Sequence, residues 1–294
     1  MIGFKRENLI REVKKRSMGQ EALARLTRNK TAMVGFAIMM LVVILVCCAG
    51  LICPEGYDHQ IIPDKFIRPG SKYLLGTDDL GRSLLARVLY GGRYSLFIGV
   101  AATVVSSVFG VILGSIAGYY GGKVDNAIMR TLDVLNAIPN LLLAIAISSV
   151  LGGGMYNAIL AIGISSLPTF AMTVRGPILA VKGQEYVEAA RALDAKDSRI
   201  VLKYIIPNVL SPIVIQVTGS VSGSILAAAS LSFLGLGVQP PIPEWGTLLS
   251  TARQFIREAP YLVTIPGLCI ALVVLSTNLF GDGLRDALDP KLKY

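Results

Sequence analysis

The chain has 294 residues, of which 53% are hydrophobic and only 16% are charged, and its formal net charge is +9. A soluble domain carries roughly a quarter charged residues, and a disordered chain is less apolar than this one. The composition therefore excludes both classes and indicates a polytopic membrane protein. In such a protein the positive charge mainly reports membrane topology, so we expect no nucleic-acid partner.

Segment 1–30 is basic and carries apolar residues at roughly helical spacing. These apolar residues are Leu9, Ile10, Val13, Leu23 and Leu26. The pattern is typical of an amphipathic helix that lies on the inner leaflet and contacts membrane lipid. A solvated basic tail is the alternative interpretation.

Six apolar runs of about 20 residues, the length that a bilayer core demands, follow this segment. They cover residues 31–53, 94–119, 128–151, 157–174, 209–236 and 261–280. The predicted fold class is an all-α polytopic membrane protein with six transmembrane helices, in which residues 94–281 form a five-helix core after the first helix.

Lys and Arg predict the orientation of these spans. Most of them lie in segments that six spans place on one side, namely 1–30, 175–208 and 282–294. Because basic flanks favour the cytoplasm, the N- and C-termini and loop 175–208 are predicted to be cytoplasmic. Segments 54–93 and 237–260 then lie outside, where Trp245 is expected to anchor the chain at the membrane interface.

The second span carries small residues at a spacing of four. They are Ser106, Gly110, Gly114 and Gly118. A spacing of four places them on one helix face, and small faces let helix backbones approach closely in lipid. Gly110, Gly114 and Gly118 are therefore predicted to form a packing face, within this chain or on a second subunit.

Two spans carry polar side chains that are candidates for a translocation path. In the third, Asn136 and Asn140 share a face, Pro139 should kink the helix, and Asp133 is expected to pair with Arg130. The fifth span is rich in Ser, Thr and Gly. Such a helix is a poor neighbour for lipid and should line a polar cavity. Gln216 and Ser220, one turn apart, are its path candidates.

Loop 175–208 is much longer than the other predicted cytoplasmic connections, which indicates a function. Residues 185–193 are strong helix formers, with Val187, Ala190 and Leu193 on one apolar edge. Asp194 interrupts this helix, and a second helical segment ends at Pro207. A short, charged, helical segment of this kind is suited to docking into another protein.

Glu188-Ala189-Ala190 with a turn at Asp194 and Pro207 thirteen residues later resembles the EAA loop of ABC-importer permeases. The family usually has Gly at the turn, and Asp also tolerates left-handed backbone angles. The resemblance implies a type I permease fold, a coupling helix that sits in a cleft of an ATP-binding subunit, and a set of coupling residues. These are Glu185, Glu188, Ala189, Ala190, Leu193, Asp194 and Pro207.

Further stretches are similar to the second permease of dipeptide and oligopeptide importers. They are residues 75–82, 90–96, 232–241, 243–246 and 278–290. The family includes nickel and glutathione permeases, and none of these stretches separates the substrates. Peptides are the first expectation, and nickel or another small solute is the alternative.

The resemblance implies several partners. They are two ABC ATP-binding subunits, a second homologous permease and an extracytoplasmic substrate-binding protein. ATP and Mg would be bound by the partners, since this chain has no phosphate-binding loop, and no cofactor or metal is expected in it. Glu188 would make a polar contact with the ATPase, and Ala189 and Ala190 would allow its close approach.

Two other classes are alternatives to an importer subunit. An intramembrane serine protease would need a residue to activate its nucleophile, and the one histidine, His59, lies in a polar stretch. We therefore expect no enzyme activity and no catalytic residue. An ATP-independent channel or secondary carrier would not need the long cytoplasmic loop. Location in the cell membrane, with several passes, is predicted for all of them.

Overall fold

The computed structural model describes residues 18–288, and within this range the chain is a bundle of helices. The helices are α1 (Met18–Leu26), α2 (Lys30–Cys47), α3 (Ala49–Ile52), α4 (Leu84–Tyr120), α5 (Gly122–Asn136), α6 (Asn140–Leu151), α7 (Met155–Val181), α8 (Glu185–Ala192), α9 (Asp197–Arg199), α10 (Leu210–Phe233), α11 (Trp245–Ala252) and α12 (Tyr261–Leu288). Short 3₁₀ turns lie at Ile62–Asp64 and Arg253–Phe255.

Within residues 18–288, five helices or continuous helical paths are long and apolar enough to cross a membrane, and a bent pair could supply a sixth span. The single helices are α2, α4, α7 and α12, the fifth path runs from α9 through α10, and the bent pair is α5 with α6. This count confirms the all-α membrane fold that the sequence predicts. The bounds differ, and each difference has a local cause.

Helix α4 begins ten residues before the predicted second span. Its first three turns contain Arg87 and Arg93, which lower the hydropathy that marks a span. Both charges have partners in the structure. An Nη1 atom of Arg87 lies 3.2 Å from Asp78 Oδ2, and Arg93 donates to the carbonyl oxygens of Val46 and Cys47 at the end of α2. The helix therefore reaches back to Ser83, whose hydroxyl accepts from the Ala86 amide.

The predicted third span is broken rather than kinked. Helix α5 ends at Asn136, α6 begins at Asn140, and their axes differ by 87°. Pro139 lacks an amide hydrogen and disfavours helical angles in the residue before it, so the helix cannot continue through 137–139. Asp133 is exposed, and the ion pairs within residues 18–288 do not include the expected pair with Arg130.

The chain ends also differ from the prediction. Helix α2 stops at Cys47 and the short α3 completes the predicted first span. Helix α12 continues to Leu288, so most of the predicted tail 282–294 is helical, and 289–294 lie outside the described residues. Helix α1 packs on α12, whereas the apolar residues Leu9, Ile10 and Val13 of the predicted amphipathic helix lie outside the described residues.

The buried core forms three layers along α4, which at 1.5 Å per residue is about 55 Å long. Leu84 and Val88 belong to the first layer, with Trp245 of α11. Ile98 and Ala102 belong to the second, with Ile162 of α7 and Leu231 of α10. Tyr119 lies in the third, with residues of α7 and α8. The bundle therefore has a Trp245 end and an α8 end.

The three glycines with a spacing of four pack against α7 within this chain. An added Cβ at Gly110 would overlap Phe170, one at Gly114 would overlap the carbonyl oxygen of Ala171, and one at Gly118 would lie 2.8 Å from Ile178. Only glycine lets the two helix axes come this close. The resulting α4–α7 contact is the most extensive contact between two helices of the described bundle.

The Trp245 end is tightly packed and polar inside. Glu244 is fully buried. It accepts hydrogen bonds from the Ser95 hydroxyl at 2.7 Å and from the Thr247 amide at 3.0 Å, which caps α11. Trp245 is 1% exposed, and its indole N–H donates to the Val88 carbonyl at 2.9 Å. The prediction of an interfacial anchor is therefore wrong, because this tryptophan lies in the protein core.

Residues 54–83 pack over this end as a lobe. The Tyr261 hydroxyl donates to the Thr77 carbonyl at 2.8 Å. The ammonium of Lys72 and the hydroxyl of Tyr73 donate to Asp64, and these bonds hold the pKa of the Asp64 carboxyl below its usual value. The lobe is thus attached to α12 through backbone carbonyls and internally by ionic contacts.

Candidate functional site

Helix α8 is a short polar helix at the opposite end of the bundle. It begins at Glu185, after the extended residue Gln184, with Glu185 and Glu188 in its first turn and Arg191 in its last. Acidic side chains stabilise the N-terminal end of a helix dipole and basic side chains the C-terminal end. This order of charges explains why an eight-residue segment with little apolar surface is helical.

The inner face of α8 packs onto the bundle. Val187 is fully buried and Ala190 is 7% exposed, in a cluster with Tyr119, Ile178 and Ile205. The spacing places Val187 and Ala190 on one apolar edge, and both are buried. The resemblance implies that Ala190 allows close approach of the ATPase, but in this structure the helix turns Ala190 toward its own chain.

The outer face of α8 is exposed along its whole length. Glu185, Glu188 and Ala189 lie on it, and Leu193 at its end is 84% exposed. The spacing predicts Leu193 on the apolar edge instead. That prediction is wrong because α8 ends at Ala192 and the chain turns at Asp194, whose φ of 55° is left-handed. The outer face therefore presents two carboxylates, a small residue and an apolar tip.

After this turn the chain is helical without a break from Asp197 to the end of α10 at Phe233. The sequence predicts that the second helical segment ends at Pro207. In the structure a π-helical stretch, Ile200–Ile205, leads into a 3₁₀ turn, Ile206–Val209, and then into α10. Pro207 has no amide hydrogen and cannot make the usual helical hydrogen bond. The wider π turn and the tighter 3₁₀ turn let the helical path continue past it. Short segments thus connect α8 to a membrane helix on each side: residues 182–184 lead from α7, and residues 193–196 lead to the helical path into α10.

Two polar contacts fix this region to the bundle. The Tyr119 hydroxyl at the end of α4 donates to Asp197 Oδ1 at 2.6 Å, and the guanidinium of Arg191 lies 5.2 Å from the centroid of the Tyr119 ring. Next to them, Arg175 of α7 donates from Nε and Nη2 to the two oxygens of Asp125 at 2.5 and 2.6 Å. The end of α4 is therefore joined to α8 and α9, and the end of α7 is joined to α5.

A cavity of about 360 Å³ lies between α6, α7 and α10. Its polar lining residues are Asn140, Ser166, Thr169, Gln216, Ser220 and Ser230. Gln216 donates to the Ser220 hydroxyl at 3.3 Å, and Asn140 exchanges hydrogen bonds with Ser165 and Ser166. The lining combines hydroxyl and amide groups with apolar side chains and includes no charged residue. It suits a polar solute without selecting a charge.

Three of the four predicted path residues meet in this cavity. Asn140, Gln216 and Ser220 line it. Asn136 does not, and is exposed near the end of α5. The expectation that Asn136 and Asn140 share a face is wrong, because the break at Pro139 places them on helices that differ by 87°.

Two buried charged residues that stabilise the fold, and that the sequence does not predict, lie at the Trp245 end. Glu244 and Arg87 are charged side-chain types inside apolar surroundings, and only their buried partners explain their positions. Among residues 18–288, no three His, Cys, Asp or Glu side chains lie close enough together to hold a metal ion.

Two known protein families match parts of this chain. The family described as binding-protein-dependent transport system inner membrane component matches residues 110–294, which include the cavity and α8. The N-terminal transmembrane domain of oligopeptide transport permease C matches residues 17–69. This chain belongs to the family of binding-protein-dependent transport permeases. It is a multi-pass component of the inner membrane, and the family is one of transport proteins rather than enzymes.

Three curated relatives cover nearly the whole permease. The dipeptide transport system permease protein DppC of Alkalihalophilus pseudofirmus is 44% identical over 93% of this chain and 90% of its own. The di/tripeptide transport system permease protein DppC of Pseudomonas aeruginosa is 44% identical over 90% of this chain and 89% of its own. The glutathione transport system permease protein GsiD of Pectobacterium atrosepticum is 42% identical over 97% of this chain and 95% of its own. The resemblance to ABC-importer permeases is thereby confirmed.

A solved structure supports the fold. A chain of the MetNI methionine ABC transporter, in an inward-facing conformation, aligns with a TM-score of 0.51 and 20% identity over 66% of this permease and 94% of that chain. The permease thus has the type I ABC importer fold, and proteins of this kind work with ATP-hydrolysing and substrate-binding partners.

Proposed function

We propose that this permease is one of two membrane subunits of an ATP-driven importer of dipeptides and oligopeptides. The relatives that cover nearly the whole chain are permeases for dipeptides, di/tripeptides and glutathione. The cavity supports the same class, since hydroxyl and amide groups can bind a peptide backbone without a fixed charge preference. The chain would have no cofactor of its own, and ATP and Mg would be bound by two ABC ATP-binding subunits.

One observation carries the coupling mechanism. The outer face of α8 is exposed, while the inner face is buried, and short segments connect α8 to a membrane helix on each side. A partner that moves α8 therefore moves α7 and α10, two of the three helices that line the cavity. Alternating access follows when this movement opens the cavity first to one side and then to the other.

The orientation follows from the distribution of Lys and Arg. Segment 1–30, the α8 end and the C-terminal residues are cytoplasmic in this proposal, where the ATP-binding subunits dock with Glu185, Glu188, Ala189, Leu193 and Asp194. The lobe 54–83 and segment 237–260 face outward to the substrate-binding protein. A second, homologous permease completes the path, and the remaining apolar surface contacts lipid.

The direct test is uptake by proteoliposomes that contain the permease purified with the subunits that accompany it. Labelled dipeptide, glutathione and Ni²⁺ are offered in turn with the substrate-binding protein outside and with or without ATP inside. We expect uptake of dipeptide that requires ATP. Uptake of Ni²⁺ alone would assign the importer to another solute, and uptake of any of them without ATP would contradict the importer and favour a channel or carrier.

The coupling surface is tested in the same vesicles with Glu188→Lys. Reversal of a charge in a docked interface should lower both stimulated ATP hydrolysis and uptake by about tenfold or more, since such contacts contribute 2 kcal/mol or more. Glu21→Lys is the matched control, because Glu21 is exposed on α1 at the same proposed side. Full uptake by Glu188→Lys would show that α8 does not carry the coupling contact.

A further inference from the structure

Helix α5 is the least anchored long helix of the bundle. Of its residues only Asp125 and Leu132 are buried, while Val124 and Val134 are exposed. Its packing partners within the described residues are α4 and α7. Because so few of its residues are buried, the specific contacts at its ends contribute much of what holds this helix in place.

The first of these contacts is the ion pair of Asp125 with Arg175. Arg175 donates from two nitrogens to the two carboxylate oxygens, at 2.5 and 2.6 Å. The side chain of Asp125 is 11% exposed and that of Arg175 is 33% exposed. A bidentate pair of this kind restricts both the distance and the relative orientation of the two side chains. It ties the first turn of α5 to the last two turns of α7.

The second contact lies beyond the break at Pro139. Asn140, the first residue of α6, accepts from Ser165 at 2.9 Å and donates to Ser166 at 3.3 Å, and both serines are on α7. The α5–α6 pair is therefore fastened to α7 at the start of each helix, with an 87° bend between the two points. Three residues beyond the end of α7, the chain enters α8.

We propose that the Asp125–Arg175 ion pair is the positioning contact that makes α5 and α6 follow α7 when the coupling helix α8 moves. Neither residue lines the cavity or lies on the outer face of α8. Their role is to transmit the movement of α7 to the third helix of the cavity, so that Asn140 stays aligned with Gln216 and Ser220. This inference rests on the proposed function, because it concerns how ATP hydrolysis is converted into opening of the path.

The mechanism predicts a specific defect. Without the ion pair, the ATP-binding subunits still dock on α8 and still move α7, so hydrolysis continues. Helix α5 lags behind, and the cavity opens incompletely. Peptide uptake per ATP hydrolysed should therefore fall, whereas a residue that merely stabilises the fold would lower assembly, hydrolysis and uptake together.

The experiment measures this ratio in proteoliposomes of the complete complex with Asp125→Asn, Arg175→Gln and the exchanged pair Asp125→Arg with Arg175→Asp. For each single variant we expect hydrolysis within about twofold of the unsubstituted complex and uptake per ATP reduced about tenfold, a size found for positions that couple two sites. The exchanged pair should recover at least about half of the ratio, because it restores opposite charges across the same contact.

Asp133→Asn is the matched control. It removes the same charge from the same helix at an exposed position. Its carboxylate acts on Arg175 only at longer range, without the direct contact that Asp125 makes, so the ratio should change by less than about twofold. A normal ratio in both single variants would overturn the proposal, and so would a parallel loss of hydrolysis and uptake that the exchanged pair does not repair.

Two further measurements keep the test decisive. If the single variants do not assemble, Arg175→Lys retains a charge but loses the bidentate geometry, and it should give an intermediate ratio; an unchanged ratio would overturn the proposal. The unsubstituted complex is measured first. Failure of its ATP-dependent uptake would reject the proposed function, whereas normal uptake with insensitive variants would reject only the role of the ion pair.

Discussion

The Trp245 end and the α5–α6 pair both include contacts with α4, yet they are built in opposite ways. At the Trp245 end, Glu244 and Trp245 are buried and hydrogen-bonded. Gly91 and Gly246 lie so close to neighbouring backbone that an added Cβ would overlap it. In α5 two residues are buried, and Val150 at the end of α6 is 88% exposed. Regions with many buried contacts resist local opening, and regions with few do not. One region is suited to anchor the bundle and the other to move.

The largest expected effect comes from crowding the anchored end. A Cβ at Gly91 would overlap the carbonyl oxygen of Pro243 and lie 3.4 Å from Trp245. Gly91→Ala should therefore lower the free energy of unfolding by about 3 kcal/mol, as overpacking against a backbone does. Thermal unfolding of the purified protein in detergent measures the loss.

Gly219→Ala is the matched control for this change. Gly219 also lies inside a helix, but its Cβ would meet nothing within 4 Å. It should be neutral or slightly stabilising, since alanine is the better helix former. Equal effects at the two positions would contradict the contrast in packing.

A smaller loss is expected from Glu244→Ala. The change removes the cap of α11 and leaves the Ser95 hydroxyl without its acceptor, which together should cost about 2 kcal/mol. Glu258→Ala, at an exposed position of the same end, should change stability by less than about 0.5 kcal/mol. If the two variants unfold at the same temperature, Glu244 does not support the anchored end.

Substitutions in the α5–α6 pair are expected to change transport activity more than stability. Asn140→Ala removes hydrogen bonds to Ser165 and Ser166 and should cost only about 1 kcal/mol of stability. It should lower uptake severalfold, because the residue both lines the cavity and holds α6. The measurements are thermal unfolding and proteoliposome uptake of the same preparation.

The smallest effect is expected at Asn136. Asn136→Ala changes the same residue type four positions earlier, at an exposed site outside the cavity. Stability should remain within about 0.5 kcal/mol and uptake should be unchanged. A transport defect as large as that of Asn140→Ala would show that Asn136 belongs to the translocation path. It would contradict the separation of the two residues at Pro139.

The apolar runs predict the membrane helices well, because span length and hydrophobicity are local properties of a sequence. The apolar runs place the start of α4 too late. A hydropathy pattern cannot show that Arg87 has a carboxylate partner or that Arg93 donates to two carbonyl oxygens. The position of Trp245 is wrong for a related reason. Amphipathic aromatic residues favour an interface, and only the tertiary contact with Val88 explains its burial.

For the candidate site, local chemistry predicts the turn at Asp194 and the polar face of α10, and both are present in the structure. Spacing also places Val187 and Ala190 on the buried face of α8, but it places Leu193 there too, because it cannot show that the helix ends at Ala192. Nor does spacing predict the contact between Asp125 and Arg175. They lie 50 residues apart in the chain, and only the packing of α5 on α7 brings them together.

The central claim is that the outer face of α8 contacts the ATP-hydrolysing partner while the lobe at the other end contacts the substrate-binding protein. Photocrosslinking in the assembled complex tests it most directly, with benzoylphenylalanine placed at Leu193, 84% exposed at the tip of α8, or at Leu74, 71% exposed on the lobe. We predict that position 193 crosslinks to an ATP-binding subunit and position 74 to the substrate-binding protein. The reverse pattern, or no crosslink from position 193 to an ATP-binding subunit in an actively transporting complex, would contradict the account.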